Sequence, residues 1–170
     1  PDNPKLIHRH RICIALCFHK AVRQADCQAG IGGMPDIYQS LGYRRGVALA
    51  TQNLGHNAEV LGDYDRAREC YREALRIRRD LGLPRGYAYS FEHLADIAEI
   101  EKRYEHAVQL LAAADTLRVA LAPPVEQVNR QANEDALTRL RAQLGDVVFK
   151  LEWAKGATLT TEQAIELALS

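Results

Sequence analysis

The sequence predicts an all-α protein of stacked helical hairpins closed by a non-repeating C-terminal helical cap, and two observations carry that prediction. The first is a 40-residue self-similarity: Leu41-Gly42, Arg45-Gly46, Leu54, Ala58, Tyr64, Ala67 and Ala74 recur as Leu81-Gly82, Arg85-Gly86, Leu94, Ala98, Tyr104, Ala107 and Ala114. The second is that the apolar residues within each unit keep a helical period. One such unit cannot bury its apolar faces alone, so stacking completes the core and leaves a surface for partners.

Residues 1–46 are read as an irregular helical repeat or cap. The repeat frame puts Ile14, Ala15 and Phe18 on a first helix, but the second would contain Gly30, Gly32, Gly33 and Pro35, which are poor helix-interior residues. No Glu precedes Glu59, and three of the four cysteines lie in this stretch.

Residues 47–122 are read as two repeats. From Val47 to Leu61, Ala50, Leu54, Ala58 and Leu61 share one helical face; after Gly62-Asp63 a second stripe runs through Ala67, Cys70, Tyr71, Ala74, Ile77 and Leu81. Gly82 suits the left-handed residue that ends a helix, with Leu83 making the accompanying apolar contact. The next hairpin carries Phe91, Leu94, Ala95 and Ala98, then a longer helix with Ala107, Leu110, Leu111, Ala114, Leu117 and Leu121. Gly55 with Ala67, and Ala95 with Ala107, are small enough for close helix contact, with Tyr71 or Leu111 filling the space beside them.

Residues 123–170 read as capping helices. Pro123-Pro124 stops one helix and starts another, whose stripe of Val125, Val128, Ala132, Leu137, Leu140 and Leu144 ends near Gly145. A short helix with Val148, Phe149 and Trp153 follows, closed by Gly156. Thr160 with Gln163 forms a capping box for a last helix carrying Ala164, Ile165, Leu167 and Ala168.

The hairpins resemble the tetratricopeptide repeat: Leu54-Gly55, Ala58, Ala67, Tyr71 and Ala74 match that family's successive contact positions. The second copy departs with Ala95 for Gly and Leu111 for the aromatic. Arg79 and Val119 stand where the family has its terminal Pro, and each unit runs about six residues beyond the roughly 34-residue family length. The resemblance implies a right-handed solenoid whose first helices line a concave groove. Together with Leu110-Leu111-Ala112-Ala113-Ala114-Asp115, Leu144-Gly145-Asp146-Val147-Val148-Phe149 and Leu159-Thr160-Thr161-Glu162-Gln163-Ala164, the chain is similar to the C-terminal end of large bacterial signal-transduction ATPases and LuxR-type or antibiotic-regulatory transcription factors. In those proteins the repeats serve as sensing or interaction arms, with nucleotide-binding and output domains upstream.

At 170 residues with 47% hydrophobic side chains the chain can bury one continuous core, and its zero formal charge offers no general attraction to nucleic acid or anionic lipid. Ile12 to Phe18, the longest apolar stretch, falls far short of the roughly 20 residues of a membrane span. Four scattered cysteines fit a reducing, cytoplasmic compartment, and the opening Pro1 is read as the start of a fragment of a longer protein.

Catalytic signatures are missing. Gly30-Ile31-Gly32-Gly33 is followed by no Lys-Ser or Lys-Thr, so it reads as a turn and not a phosphate loop, and no GxSxG, HExxH or catalytic-cysteine pattern occurs. Asp63, Asp65, Glu99, Glu101 and Glu105 scatter over helix ends and solvated faces. Cys13 and Cys17, with His10 and His19 nearby, lack a second ligand pair, so the thiols read as interface packing. His8-Arg9-His10-Arg11 has no interleaved aromatics. The expectation is a non-enzyme with no cofactor and no metal, contacting neither nucleic acid nor membrane directly.

The candidate binding surface is the groove face implied by the resemblance: Gln52, Asn53, His56 and Glu59 from one repeat, Tyr89, Glu92, His93 and Asp96 from the next. Gln52 and Glu92 occupy positions where peptide-clamping members use Lys, which disfavours capture of a C-terminal carboxylate. The expected partner is a protein, a peptide or another domain of the parent protein. The alternative is a small polar inducer hydrogen-bonded by His56, Tyr89 and His93. Self-association is open at this stage.

Overall fold

At Gly42, Gly62, Gly82 and Lys102 the backbone turns left-handed, with φ of 67°, 79°, 62° and 63°. After each, the next amide donates to the carbonyl five residues back: Tyr43 to Tyr38 at 2.8 Å, Asp63 to Ala58 at 2.9 Å, Leu83 to Arg78 at 2.9 Å and Arg103 to Ala98 at 2.8 Å. This bond satisfies a carbonyl that the ending helix leaves orphaned. The 40-residue period is thus two helix-plus-turn units of equal length.

The computed structural model describes residues 33–121 and 130–170. The helices are α1 (Met34–Ser40), α2 (Arg44–Val60), α3 (Tyr64–Asp80), α4 (Tyr87–Ile100), α5 (Tyr104–Leu121), α6 (Arg130–Ala157) and α7 (Thr161–Leu169). The readings of Ile14 to Phe18, the cysteines before Cys70, the run Gly30-Ile31-Gly32, Pro123-Pro124, Val125 and Val128 lie outside the described residues. Pro35 corrects one expectation, since it begins a helix here. It sits in the first turn of α1, where its missing N–H leaves no bond unmade, and Met34 and Tyr38 bury against Val47 and Ala50.

Lys102 is the one non-glycine residue in a left-handed conformation among those described. Its Cβ opposes a following carbonyl there, which glycine avoids. Lys102→Gly is expected to raise stability by about 0.5–1 kcal/mol, read as a higher urea midpoint at unchanged slope; a lower midpoint would refute the argument.

The core runs through both hairpins. Ala67, Tyr71, Leu75, Phe91, Ala107 and Leu110 are completely inaccessible. Gly55 makes the close contact expected of it: a Cβ there would meet Tyr71 Cε1 at 3.0 Å and Cys70 Cβ at 3.1 Å. Leu61 and Leu121, expected on the apolar stripes, are each 40% exposed because they sit at helix ends.

Gly145 (φ 76°, ψ 158°) breaks α6 into two segments where the sequence reading ended one helix and began the next. The cap departs from that reading in two places. Leu140, Ala136 and Phe149 are buried, but Ala132 is exposed and Val148 largely so. Gly156 does not end the helix; it is a contact point, where a Cβ would run into the backbone of Gln109 in α5. The capping box of Thr160 and Gln163 starts α7 as expected. α7 then returns to the repeats: Arg72 Nε donates to the Ala168 carbonyl at 3.1 Å, and Arg79 pairs with Glu166 at 2.8 Å. No described helix is long and apolar enough to cross a membrane.

His106 on α5 sits beside Arg103 and Arg72, and burial together with these two charges pushes its pKa down to about 4. Its unfolded value is near 6.5, so between pH 6.5 and 4 the unfolded chain binds the extra proton and stability falls as pH falls. Allowing for solvent screening at a part-exposed site, the loss is about 1–2 kcal/mol. Chemical denaturation at pH 7 and pH 4.5 should show it in the native chain and a smaller loss in His106→Gln. Equal losses in the two would rule it out.

Candidate functional site

Helical spacing sets the first half of the site. His56 and Glu59, three apart on α2, share a face, and α4 brings His93 onto the same face from 34 residues further along. Glu59 Oε2 lies 2.8 Å from His93 Nδ1 and accepts the Tyr71 hydroxyl at 2.6 Å. The His93 ring stacks on Tyr71, with centroids 5.0 Å apart and planes 17° from parallel. Tyr89 lies against it at 4.3 Å and His56 meets it edge-on at 5.6 Å.

Burial tunes these groups. His56 is held below its ordinary pKa by burial first and by His93 second, which keeps its ring neutral at pH 7. Burial would push Glu59 up, but the hydrogen bond and charge of His93, with smaller contributions from the Tyr71 hydroxyl and His56, together hold the carboxyl low. Burial and Glu59 raise the Tyr71 phenol far above its usual range, so it acts only as a donor. The Asp96 carboxyl is pushed up to about 6 by burial, opposed by His93 and reinforced by Glu59. Two imidazole nitrogens, His56 Nδ1 and His93 Nε2, are buried without a hydrogen-bond partner, which is uncommon in native proteins.

The sequence-derived candidates therefore divide. His56, Glu59, Tyr89 and His93 form one contact cluster, and Asp96 adds charge beside it. Asn53 is half-buried and Gln52 is buried, both on the same helix. Glu92 lies elsewhere. It is 1% exposed, accepts from Asn133 of α6 at 2.7 Å and pairs with Arg118 of α5 at 2.5 Å, so it fastens the cap to the second repeat. Tyr71, read from the sequence as a space-filler, belongs to the site through its hydroxyl. The only signal for this was the choice of Tyr over Phe at a core position.

A second feature adjoins the cluster at Asp96. An open groove of about 730 Å³ between α4, α5 and α6 is lined by Asp96, Glu99, Ile100, Tyr104, Asp135 and Arg139, among others. Arg139 clamps Glu99 through two bonds of 2.8 Å.

Paired helices of this length, small-residue contacts and a polar face on the first helices define a tetratricopeptide-type helical repeat, a class of protein-interaction scaffold. Residues 46–114 match the tetratricopeptide repeat family. Proteins named HTH-type transcriptional regulators, from Mycobacterium bovis and from two strains of Mycobacterium tuberculosis, are similar to the chain at 31% identity over 127 residues. The match covers 75% of this chain and 14% of each relative, so the chain spans about a seventh of their length. No solved structure matches.

Proposed function

We propose that this chain is the non-catalytic regulatory arm of a larger bacterial transcription regulator, and that it binds a protein or peptide segment along the α2/α4 face. The supporting observation is the cluster of His56, Glu59, Tyr89 and His93. It gathers polar and aromatic groups from two adjacent repeats and holds them rigid through ring contacts and hydrogen bonds to core residues. Rigid aromatic and polar groups lower the entropy cost of binding. Asp96 links this face to the neighbouring groove, and with Asp135 it favours a segment that presents a basic side chain.

The test uses residues that do not carry the core. Asn53→Ala combined with Asp96→Ala should leave the circular dichroism and melting temperature near those of the native chain. Affinity for a partner identified by cross-linking should fall roughly tenfold or more, as when binding hot spots are truncated. Arg76→Ala is the control, because Arg76 is exposed on α3 and pairs with Glu73 of the same helix. Loss of binding in the control with full binding in the double variant would place the interface on the outer helices and defeat the proposal. A thermal-shift screen of polar metabolites separates the alternative of a small inducer, since a ligand bound to the folded state raises its melting temperature.

A further inference from the structure

His56, Glu59 and His93 each offer one donor atom, and the three atoms lie within 4.8 Å of one another. Two of them, Glu59 Oε2 and His93 Nδ1, are already 2.8 Å apart. The third residue, His56, has a buried Nδ1 with no hydrogen-bond partner. We propose that these three side chains form a binding site for a divalent transition-metal ion of the Zn2+ class, bridging the first helices of the two repeats.

The donor set fits that ion class. Two imidazoles and one carboxylate suit zinc and its neighbours, whereas magnesium and calcium prefer oxygen ligands. Three protein ligands leave a fourth position for water or an incoming donor. The ion enters between Glu59 Oε2 and His93 Nδ1 in place of the hydrogen bond that now joins them. The proton on Nδ1 moves to Nε2 of the same ring, a position that has no partner at present. His56 supplies the third donor, and its ring carries a buried nitrogen that has no hydrogen-bond partner at present.

The surroundings are already arranged. Tyr71 donates to the same Glu59 oxygen and so orients the carboxylate from behind. The His93 ring is held between Tyr71 and Tyr89. Outer contacts of this kind keep ligands in place before the ion arrives. His93 itself is 8% exposed, so its ring has little freedom to turn away. The inference does not depend on the face binding a protein partner.

The experiment titrates the 170-residue chain with Zn2+ by calorimetry and with Co2+ by visible absorption. The expected result is one equivalent bound with micromolar or tighter affinity. Bound Co2+ should show d–d bands of a four- or five-coordinate ion, without an intense thiolate charge-transfer band. His56→Ala and Glu59→Gln should each weaken binding at least tenfold while circular dichroism stays native. Glu59→Gln keeps an acceptor for Tyr71, so it tests ligation without removing the core hydrogen bond. His106→Gln, away from the cluster, should bind like the native chain. Affinity no tighter than millimolar, a thiolate band, or undiminished binding in both ligand variants would each overturn the proposal.

Discussion

Tyr71→Ala is expected to cost about 3–5 kcal/mol, the range for removing a fully buried aromatic ring. The ring is 0% exposed, touches Gly55 across the first hairpin and stacks on His93 of the second, so its loss opens a cavity where the two repeats meet. The variant also takes away one of the two hydrogen bonds that hold Glu59. Tyr71→Phe removes only that second contribution and should cost about 1–2 kcal/mol. Urea denaturation of the two variants separates packing from hydrogen bonding. If Phe costs as much as Ala, the hydroxyl and not the ring joins the repeats.

Gly156→Ala is expected to lower stability by about 3 kcal/mol, at the upper end for overpacking, although it adds a single methyl group. The new Cβ would lie 2.3 Å from the Gln109 carbonyl oxygen and 2.7 Å from its Cα. Both are backbone atoms inside α5, so no side chain can swing aside. The second half of α6 must move off α5, breaking the 2.5 Å bond from Gln109 Nε2 to Glu152 and exposing Phe149. Trp153, the single tryptophan, stacks on Phe149 and reports this locally. Its fluorescence should shift to longer wavelength at a lower urea concentration than the loss of helical circular dichroism. An unchanged midpoint would mean that α5 and α6 tolerate a wider spacing, contrary to the packing described above.

These two residues also mark where sequence reasoning reaches its limit. Periodicity located α2 to α5, because Ala58, Ala67, Ala98 and Ala107 recur at a fixed offset, although burial in α4 and α5 extends well beyond one stripe, through Ser90 to Ala95 and Leu110 to Ala114. Gly82 announced its left-handed turn, since glycine adopts that conformation without strain, and the structure adds the same turn at Gly42 and Gly62. Lys102 carried no such signal, and only the equal spacing of the turns points to it. Gly156 looked like a helix stop because a glycine near a helix end commonly is one. That it instead admits the backbone of Gln109, 47 residues earlier, depends on how α6 lies on α5.

The candidate face follows the same division. The offset that stacks α2 beside α4 put His56 and Glu59 near His93 and Asp96 in the sequence reading, and the side chains do meet there. Glu92 was assigned to that face by its place in the repeat frame that the resemblance implies. Its neighbours Arg118 and Asn133 belong to later helices whose placement no local pattern specifies, and a carboxylate buried at 1% exposure requires partners of that kind.

By itself the sequence determined the helical class, the hairpin period and the capping of α7, because these follow from spacing along one chain segment, while the residues of the α2/α4 face came from the family resemblance. Tertiary structure alone decided which groups share a hydrogen bond, which histidine nitrogens stay unpaired and which glycine admits a neighbouring backbone. Those outcomes depend on distances of a few ångströms between helices far apart in sequence, and such distances are set by the packing of the whole core.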